Sequence, residues 1–354
     1  MSSLNPISPT TTTVSAGRRA WPRVACDGDV AAEYAYDPNG NRLARTTPEG
    51  ATAGTYDAQD RLVSYGSLAF EHVHSGELRG RTDTARGETT TYIYDAFGNL
   101  RSVGLPDGRL VEYEVDGLGR RVGKRVDGVL MRAWIYGDRL RPAAQLDGNG
   151  NVVARFVYAT RRNVPDYMAK GGSTYRLITD HLGSVRLVVD AATGATFQEL
   201  TYDEFGRVLE DTNPGLQPFG FAGGLYDGMT TFVRFGARDY YPAIGRWVAK
   251  DPKPLAPRAL NFSAYVYNDP LNTTDRTGFG KQLACLESCE EQFEKYLAYC
   301  NYVMGAGCMA FCLKAPDKFK CVLVCAAAQA ACQLSVAAHF TICAAMCPDD
   351  ECSE

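Results

Sequence analysis

The sequence has no surplus of basic residues, since 37 Lys and Arg stand against 41 Asp and Glu, for a formal net charge of −4. General nucleic-acid binders carry a basic patch or a high isoelectric point, so this balance does not support that class. The sequence also lacks a Gly-rich phosphate-binding loop with its Lys, and no set of metal ligands stands out. We therefore expect no cofactor, no metal and no nucleic-acid partner.

The N-terminus lacks an apolar run of signal-peptide length. Residues 1–29 begin rich in Ser, Thr and Pro, which is typical of a disordered leader. We expect a secreted or cell-surface protein whose export route is not visible here. The alternative is that the chain is the end of a larger gene product.

A short pattern recurs in the first two thirds of the chain, which is rich in Gly and Tyr. Its strong copies begin at Tyr36, Tyr56, Tyr94 and Tyr202, and a weaker copy begins at Val115. The aromatic residue ends a strand, Asp-x-x-Gly forms a tight turn, and Asn or Arg followed by an apolar residue begins the next strand. Apolar and polar residues alternate between the copies, which also predicts strands. An ordinary antiparallel domain with similar hairpins is the alternative, but recurrence near a unit length favours a repeat.

Three motifs in this order resemble the rearrangement hotspot (RHS) family: these YD repeats, the DHLGSVR segment at 180–186, and the closing segment 220–278. The resemblance covers about residues 30–279. It implies a β-sheet strip that spirals into a hollow shell, closed at one end by an RHS-associated core. In that family the shell holds a variable C-terminal passenger, often a toxin. The repeats are few for a closed shell, so we expect a partial shell or one that needs a second chain.

This interpretation divides the chain into four parts. They are a leader (1–29), YD/RHS repeats (30–209), an RHS-associated core (210–279) and a Cys-rich helical passenger (280–354). The predicted fold class is mainly β, a partial shell followed by a small α-helical tail.

The RHS core resembles a self-cleaving aspartyl protease, in which one carboxyl group activates water and the other protonates or polarises the carbonyl. Carried onto this sequence, the resemblance implies that the catalytic residues are Arg238, Asp251 and Asp275. The spacing of Arg238 and Asp251 suits two neighbouring strands joined by the turn at 242–245. The scissile bond would follow Gly278, and the junction residues are Gly278, Phe279 and Gly280.

Two residues depart from the family pattern. Tyr241 stands where the family usually has Asp, and Arg276 stands where it usually has Pro. Arg276 adds a cation that can pair with a catalytic carboxylate and lower its pKa. The alternative is that Asp251 and Asp275 only cap turns, because Asp is a favoured turn residue.

Cysteine is nearly absent until the tail, where eleven of the twelve lie. Several occur as pairs four residues apart, which places both thiols on one face of a helix, so that facing pairs can form disulfides. The disulfide candidates are Cys285, Cys289, Cys300, Cys308, Cys312, Cys321, Cys325, Cys332, Cys343, Cys347 and Cys352. The odd number leaves at least one thiol free or intermolecular. Zinc binding and a thiol nucleophile paired with His339 are weaker alternatives.

Residues 321–347 contain no charged side chain and are long enough to span a bilayer. Polar residues interrupt this stretch and Ala dominates it, so we favour a buried, disulfide-stapled helix, with membrane contact as the alternative.

The sequence as a whole supports two functional hypotheses. The first is a delivery shell that carries a toxin-like passenger, with an immunity protein as a further partner. The second is a non-enzymatic secreted or surface protein whose tail mediates adhesion.

Overall fold

A computed structural model of the protein describes residues 23–26, 29–161, 163–250 and 261–279. These residues form strands, turns and three short 3₁₀ helices, which confirms the predicted β class. The predicted helical tail, including its eleven cysteines, lies outside the described residues. The chain divides into two units after Gly278, and the described residues up to Gly278 belong to the first.

The larger sheet is a strip of 19 strands, each paired antiparallel with the next along the chain. Its strands are β1 (Arg23–Cys26), β2 (Asp29–Tyr36), β3 (Arg42–Thr47), β4 (Gly50–Tyr56), β5 (Leu62–Tyr65), β6 (Leu68–His72), β7 (Leu78–Asp83), β8 (Glu88–Tyr94), β9 (Leu100–Gly104), β10 (Leu110–Val115), β11 (Arg121–Val126), β12 (Val129–Tyr136), β13 (Pro142–Leu146), β14 (Val152–Val157), β15 (Tyr167–Lys170), β16 (Ser173–Thr179), β17 (Val185–Asp190), β18 (Thr196–Tyr202) and β19 (Val208–Asp211). The first strand lies inside the segment 1–29 that we predict as a leader.

The smaller sheet has four strands, β20 (Leu225–Asp227), β21 (Phe232–Phe235), β22 (Arg238–Tyr241) and β23 (Arg246–Trp247). The 3₁₀ helices are Phe221–Gly223, Pro242–Ile244 and Val266–Asn268. We call residues 219–250 and 261–278 the core segment.

The predicted turns form as the sequence indicates, with Asp as the organising residue. In the first copy, Asp37 Oδ1 accepts hydrogen bonds from the amides of Asn39 (2.9 Å) and Asn41 (2.8 Å). The same pair of bonds recurs at Asp57, Asp95, Asp116, Asp147, Asp180 and Asp203. The turn at Asp147 is a copy that the sequence pattern missed, because Leu146 replaces the aromatic residue.

The aromatic residue of the repeat reaches back to the start of the preceding strand. The Tyr56 hydroxyl donates to the carbonyl oxygen of Arg42 at 3.0 Å. Equivalent bonds join Tyr136 to Arg121, Tyr158 to Pro142 and Tyr202 to Val185. The strand register shifts by one residue at several of these positions, including Tyr56 and Tyr202. Such bulges bend a strand and increase its twist, so their recurrence along one edge curves the strip.

Side chains from the two ends of the strip meet. The Phe205 ring, in the turn before β19, packs edge-on against Tyr34 of β2 with 5.3 Å between centroids. The Arg42 guanidinium lies 3.8 Å from the Phe205 centroid, and Arg45 pairs with Glu204 at 3.2 Å. Among the described strands, no ladder of backbone hydrogen bonds joins the first to the last. The curved strip is therefore an open sheet held by side-chain contacts.

The core segment packs against the strip through two apolar clusters. One joins strands β14 to β18 to Phe235, Tyr240, Trp247 and Tyr265, whose rings touch one another. The other joins β5 to β10 to Phe232, which stacks on Tyr92 of β8 with 5.5 Å between centroids. The core segment thus buries apolar surface that a single curved sheet leaves open.

Buried guanidinium groups bind the core segment to the turns of the strip. Arg234 donates to Asp239 Oδ2 (2.9 Å), to Asn99 Oδ1 (3.1 Å) and to the carbonyl of Gly119 (2.8 Å). Asp239 Oδ1 accepts a second charged bond from Arg121 of β11 at 2.8 Å. All three ionised side chains are at least 96% buried.

We predict that Asp239→Asn lowers the free energy of unfolding by about 3–5 kcal/mol, because it leaves two buried guanidinium groups without their shared counter-charge. Urea unfolding followed by circular dichroism measures the change. Asp107→Asn is the matched control, since Asp107 pairs with Arg109 at the surface. The control should unfold at the wild-type urea concentration. Equal midpoints for the two variants would contradict a structural role for the buried pair.

We also predict that Gly206→Ala is far more destabilising than Gly150→Ala. Both glycines have left-handed backbones, with φ of +85° and +84°. A Cβ at Gly206 would lie 2.1 Å from the Phe221 ring, whereas a Cβ at Gly150 meets nothing within 4 Å. Both variants incur about 1–2 kcal/mol of backbone strain, and only the first adds overpacking of about 1–3 kcal/mol. Similar melting temperatures would show that the Phe221 ring moves aside.

Candidate functional site at Gly278

The site begins with Arg238 at the start of β22. This strand pairs with β23 through the 3₁₀ turn at 242–244, and Gly245 closes that turn with φ of +66°. The Arg238 guanidinium lies 4.1 Å from the ring centroid of Trp247, on the neighbouring strand. The strand–turn–strand arrangement expected after Arg238 is therefore present. Arg238 is buried and held in place by an aromatic face.

The segment that ends the core folds back on itself around Asp275. Asp275 Oδ1 accepts hydrogen bonds from the amide of Gly278 (2.9 Å) and the hydroxyl of Thr277 (3.1 Å). The carbonyl oxygen of Thr277 accepts a bond from the amide of Ala237, in the turn between β21 and β22, at 2.9 Å. Backbone and side chain together fix this segment against the β21–β22 hairpin.

Gly278 sits where another residue does not fit. Its φ is +72°, and a Cβ would lie 2.3 Å from the carbonyl oxygen of Phe235 and 2.9 Å from the amide nitrogen of Arg238. Because those atoms belong to the backbone of the hairpin, they cannot rotate away. The close approach brings the last peptide group of the core onto the guanidinium.

Arg238 joins the two halves of the site. Its Nε donates to the carbonyl oxygen of Gly278 at 2.5 Å, and its Nη2 lies 3.3 Å from Asp275 Oδ2. The cation thus contacts both the predicted acid and the oxygen of the predicted scissile peptide bond. A guanidinium in this position withdraws electron density from the carbonyl and stabilises an oxyanion there.

Only some of the other residues predicted for this site lie within the described part of the chain. Phe279, the residue on the other side of the junction, is described and partly buried. Asp251 and Gly280 lie outside the described residues, as do the cysteines of the tail. The structure therefore brings Arg238, Asp275 and Gly278 together, and the place of Asp251 and the catalytic roles stay predictions.

The two departures from the RHS pattern occupy different environments. Tyr241 lies in the apolar cluster under Phe232, and its hydroxyl accepts a 2.6 Å hydrogen bond from Arg81 of β7. A tyrosine therefore fills the position that carries an acid in the family pattern. Arg276 is exposed and borders a small cavity that Arg120 and Arg139 also line.

Sequence reasoning missed Trp247 and Tyr265 at this site. Burial raises the pKa of Tyr265, and the nearby Asp275 carboxylate raises it further, so the phenol stays protonated. Trp247 follows Arg246 in the GRW motif, which offered a signal. Tyr265 lies in a segment without periodic pattern and offered none.

The described residues offer neither a metal site nor a membrane-spanning helix. They contain no group of three or more His, Cys, Asp or Glu side chains placed to hold a metal ion. Of the helices in this part of the chain, none is long and apolar enough to cross a membrane.

Comparison with known proteins places the sequence among YD-shell proteins. The sequence profile of the Teneurin YD-shell family matches residues 23–271. Teneurin-1 of Gallus gallus is 29% identical over 221 residues, which cover 60% of this chain and 8% of the relative. The tRNA3(Ser)-specific nuclease WapA of Bacillus spizizenii is 27% identical over 260 residues, or 71% of this chain and 11% of the relative. The chain thus spans about a tenth of these relatives.

Solved structures include the Photorhabdus luminescens Tc holotoxin pore with the mutation TccC3-D651A, at 15% identity and a TM-score of 0.40 over 73% of this chain and 17% of that one. The family match covers the whole strip and most of the core segment. It agrees with the RHS/YD-repeat identity expected from the repeats. The chain belongs to the Teneurin YD-shell family of RHS-type proteins.

Proposed function

We propose that the protein is a shell module that carries the C-terminal segment after Gly278 and releases it by aspartate-dependent hydrolysis of the Gly278–Phe279 bond. The observation that carries this proposal is the 2.5 Å hydrogen bond from Arg238 Nε to the carbonyl oxygen of Gly278. That oxygen receives a charged donor in a buried site, at the junction expected from the sequence. The neighbouring Asp275 holds the amide of the same residue.

The proposed chemistry follows from these contacts. Water attacks the carbonyl carbon of Gly278 while Asp251, the second predicted acid, takes a proton from it. Arg238 stabilises the oxyanion that forms. The bond to the Phe279 nitrogen then breaks, the nitrogen takes up that proton, and Gly278 becomes a carboxylate. Asp275 orients the peptide and pairs with Arg238.

The relatives support the carrier part of the proposal. WapA is named as a nuclease, and TccC3 occurs in a Tc holotoxin. We extend this to an exported protein with a toxin-like passenger, for which an immunity protein and a shell-completing chain are partners. The open strip supports the second of these partners, because its edge strands β1 and β19 keep unpaired backbone groups among the described strands.

A second candidate is a shell that does not cleave and serves as a structural or adhesive surface protein. The environment of Tyr241 favours it, because this tyrosine is buried among apolar groups and bonded to Arg81, where the family pattern carries an acid. In that protein Asp275 only caps the turn before Gly278.

The intact mass of the purified full chain separates these candidates. We expect the wild type to yield a fragment of residues 279–354, and Asp251→Asn and Asp275→Asn to remain full length. Asparagine at 275 keeps an oxygen that accepts from the Gly278 amide, but it removes the carboxylate charge that pairs with Arg238. Asp269→Asn is the matched control, because Asp269 caps a nearby turn of the core by accepting from Asn272.

Cleavage in the wild type and in Asp269→Asn alone establishes release. A full-length mass in all four proteins, with cooperative melting to show that they are folded, rejects release and leaves the non-cleaving shell. Cleavage that persists in both Asn variants rejects the assigned acids.

A further inference from the structure

A cavity of about 310 Å³ lies between strands β11, β12 and β18, the end of β19 with the loop that follows it, and the core segment. Its lining combines apolar side chains, among them Leu200, Phe219 and Met229, with Arg121, Lys124 and Arg132. This volume falls at the lower end of the ~300–1,000 Å³ that is typical of small-molecule sites, and such sites combine an apolar wall with a few polar groups. The cavity is distinct from the Arg238 site, since none of the junction residues lines it.

The unsatisfied polar groups of this lining are donors. Trp134 is 92% buried and its Nε1–H has no hydrogen-bond partner within the described residues. The Nε–H of Arg121 is also buried without a hydrogen-bond partner among the described residues. A buried donor without an acceptor costs about 1–3 kcal/mol, so both groups call for a molecule that supplies acceptors.

The charge of the lining points the same way. Arg132 lies directly opposite Lys124 in the β11–β12 pair. Like charges that face each other across a strand pair repel. The pKa of Lys124 is lowered, mainly by burial and further by the charge of Arg132, whereas Asp227 acts to raise it. Lys124 is neutralised by Asp227 at 2.6 Å. Arg132 forms no hydrogen bond or ion pair with any described residue.

The ionisable side chains of the lining indicate the charge of a ligand that would complement it. Three cations, Arg121, Lys124 and Arg132, face two carboxylates, Asp211 and Asp227. Lys124 pairs with Asp227, and Arg121 shares Asp239, which lies outside the lining, with Arg234. When Asp239 and Arg234 are counted as well, four cations stand against three carboxylates, and Arg132 is the cation that forms no ion pair with a described residue. A guanidinium binds a planar pair of oxygens through two parallel hydrogen bonds.

From these observations we propose that the cavity binds a small organic monocarboxylate, with its carboxylate on Arg132 and the indole N–H of Trp134, and its apolar body against Leu200, Phe219 and Met229. The three donor groups, the single surplus charge and the apolar wall each exclude a class of ligand. A neutral molecule leaves Arg132 unpaired, a dianion exceeds the surplus charge, and inorganic phosphate leaves the apolar wall uncovered. The proposal does not depend on cleavage at Gly278.

The test is calorimetric titration of the full chain with four probes. These are benzoate and octanoate, and their neutral counterparts benzyl alcohol and 1-octanol. We expect the carboxylates to bind roughly 10- to 100-fold more tightly than the matching alcohols, which is the range for a hydrogen bond to a charged group. Phenyl phosphate should bind no more tightly than benzoate.

Variants assign the site. Arg132→Met should weaken benzoate binding by roughly 10- to 100-fold and abolish the preference over benzyl alcohol. Trp134→Phe should weaken benzoate binding. The change in tryptophan fluorescence that we expect when the wild type binds benzoate should also disappear in this variant, because Trp134 is the tryptophan in the lining. Arg125→Met is the matched control, since Arg125 follows Lys124 on β11 but pairs with Glu114 outside the cavity. It should bind like the wild type.

A second measurement uses no ligand. Arg132 is repelled by Lys124 and by Lys170. Burial is the largest cause of the lowered pKa of Lys170, and the charge of Arg132 lowers that pKa further. Because the substitution removes this repulsion, Arg132→Met should melt at a higher temperature than the wild type. The proposal is overturned if neither carboxylate binds, if Arg132→Met binds benzoate as the wild type does, or if the alcohols bind equally well. The last result would mean an apolar, water-filled cavity only.

Discussion

Charged hydrogen bonds from core guanidinium groups into the turns of the strip are the constraint on which this structure depends. Arg234 binds the Asn99 side chain and the carbonyl of Gly119, and Arg246 donates to Asn41 and to the carbonyl of Asp60 at 3.1 and 2.7 Å. These turn groups are removed from water by the core segment. Each needs a partner there, because an unsatisfied buried polar group is costly. Strip and core therefore specify each other, and the turns serve as both connections and binding surface.

The strip alone has few means to define its curvature. Its strands pair with their sequence neighbours, so its contacts are local, and its apolar face is open until the core segment covers it. The Tyr56-type hydrogen bonds and the shifts in register beside them bend and twist the strip at those connections. The core segment then selects one curvature, since Arg234 and Arg246 reach turns separated by several strands.

The sequence predicted the local structure better than the long-range structure. Tyr-Asp-x-x-Gly encodes its turn through atoms within five residues, so strand ends such as Tyr56 and Tyr94 were predictable. Asp60 shows the tolerance of the code, because it adopts a left-handed φ of +58° in place of glycine. The Arg121–Asp239–Arg234 cluster joins residues more than a hundred positions apart, and no spacing rule reaches that far. Its signal was the charge inside strands β21 and β22, whose residues are all buried.

At Gly278 the same reasoning separates a structural role from a chemical one. The resemblance named Arg238 and Asp275, but only the fold shows that the guanidinium meets the carbonyl oxygen and the carboxylate meets the amide of one residue. Turn capping requires an acceptor oxygen and would be satisfied without Arg238. The backbone of the β21–β22 hairpin already fixes Gly278. The buried Arg238 cation polarises the Gly278 carbonyl in addition, and a turn cap does not need that polarisation. Because capping and polarisation make these unequal demands, we propose chemistry at the Gly278–Phe279 bond over a purely structural turn.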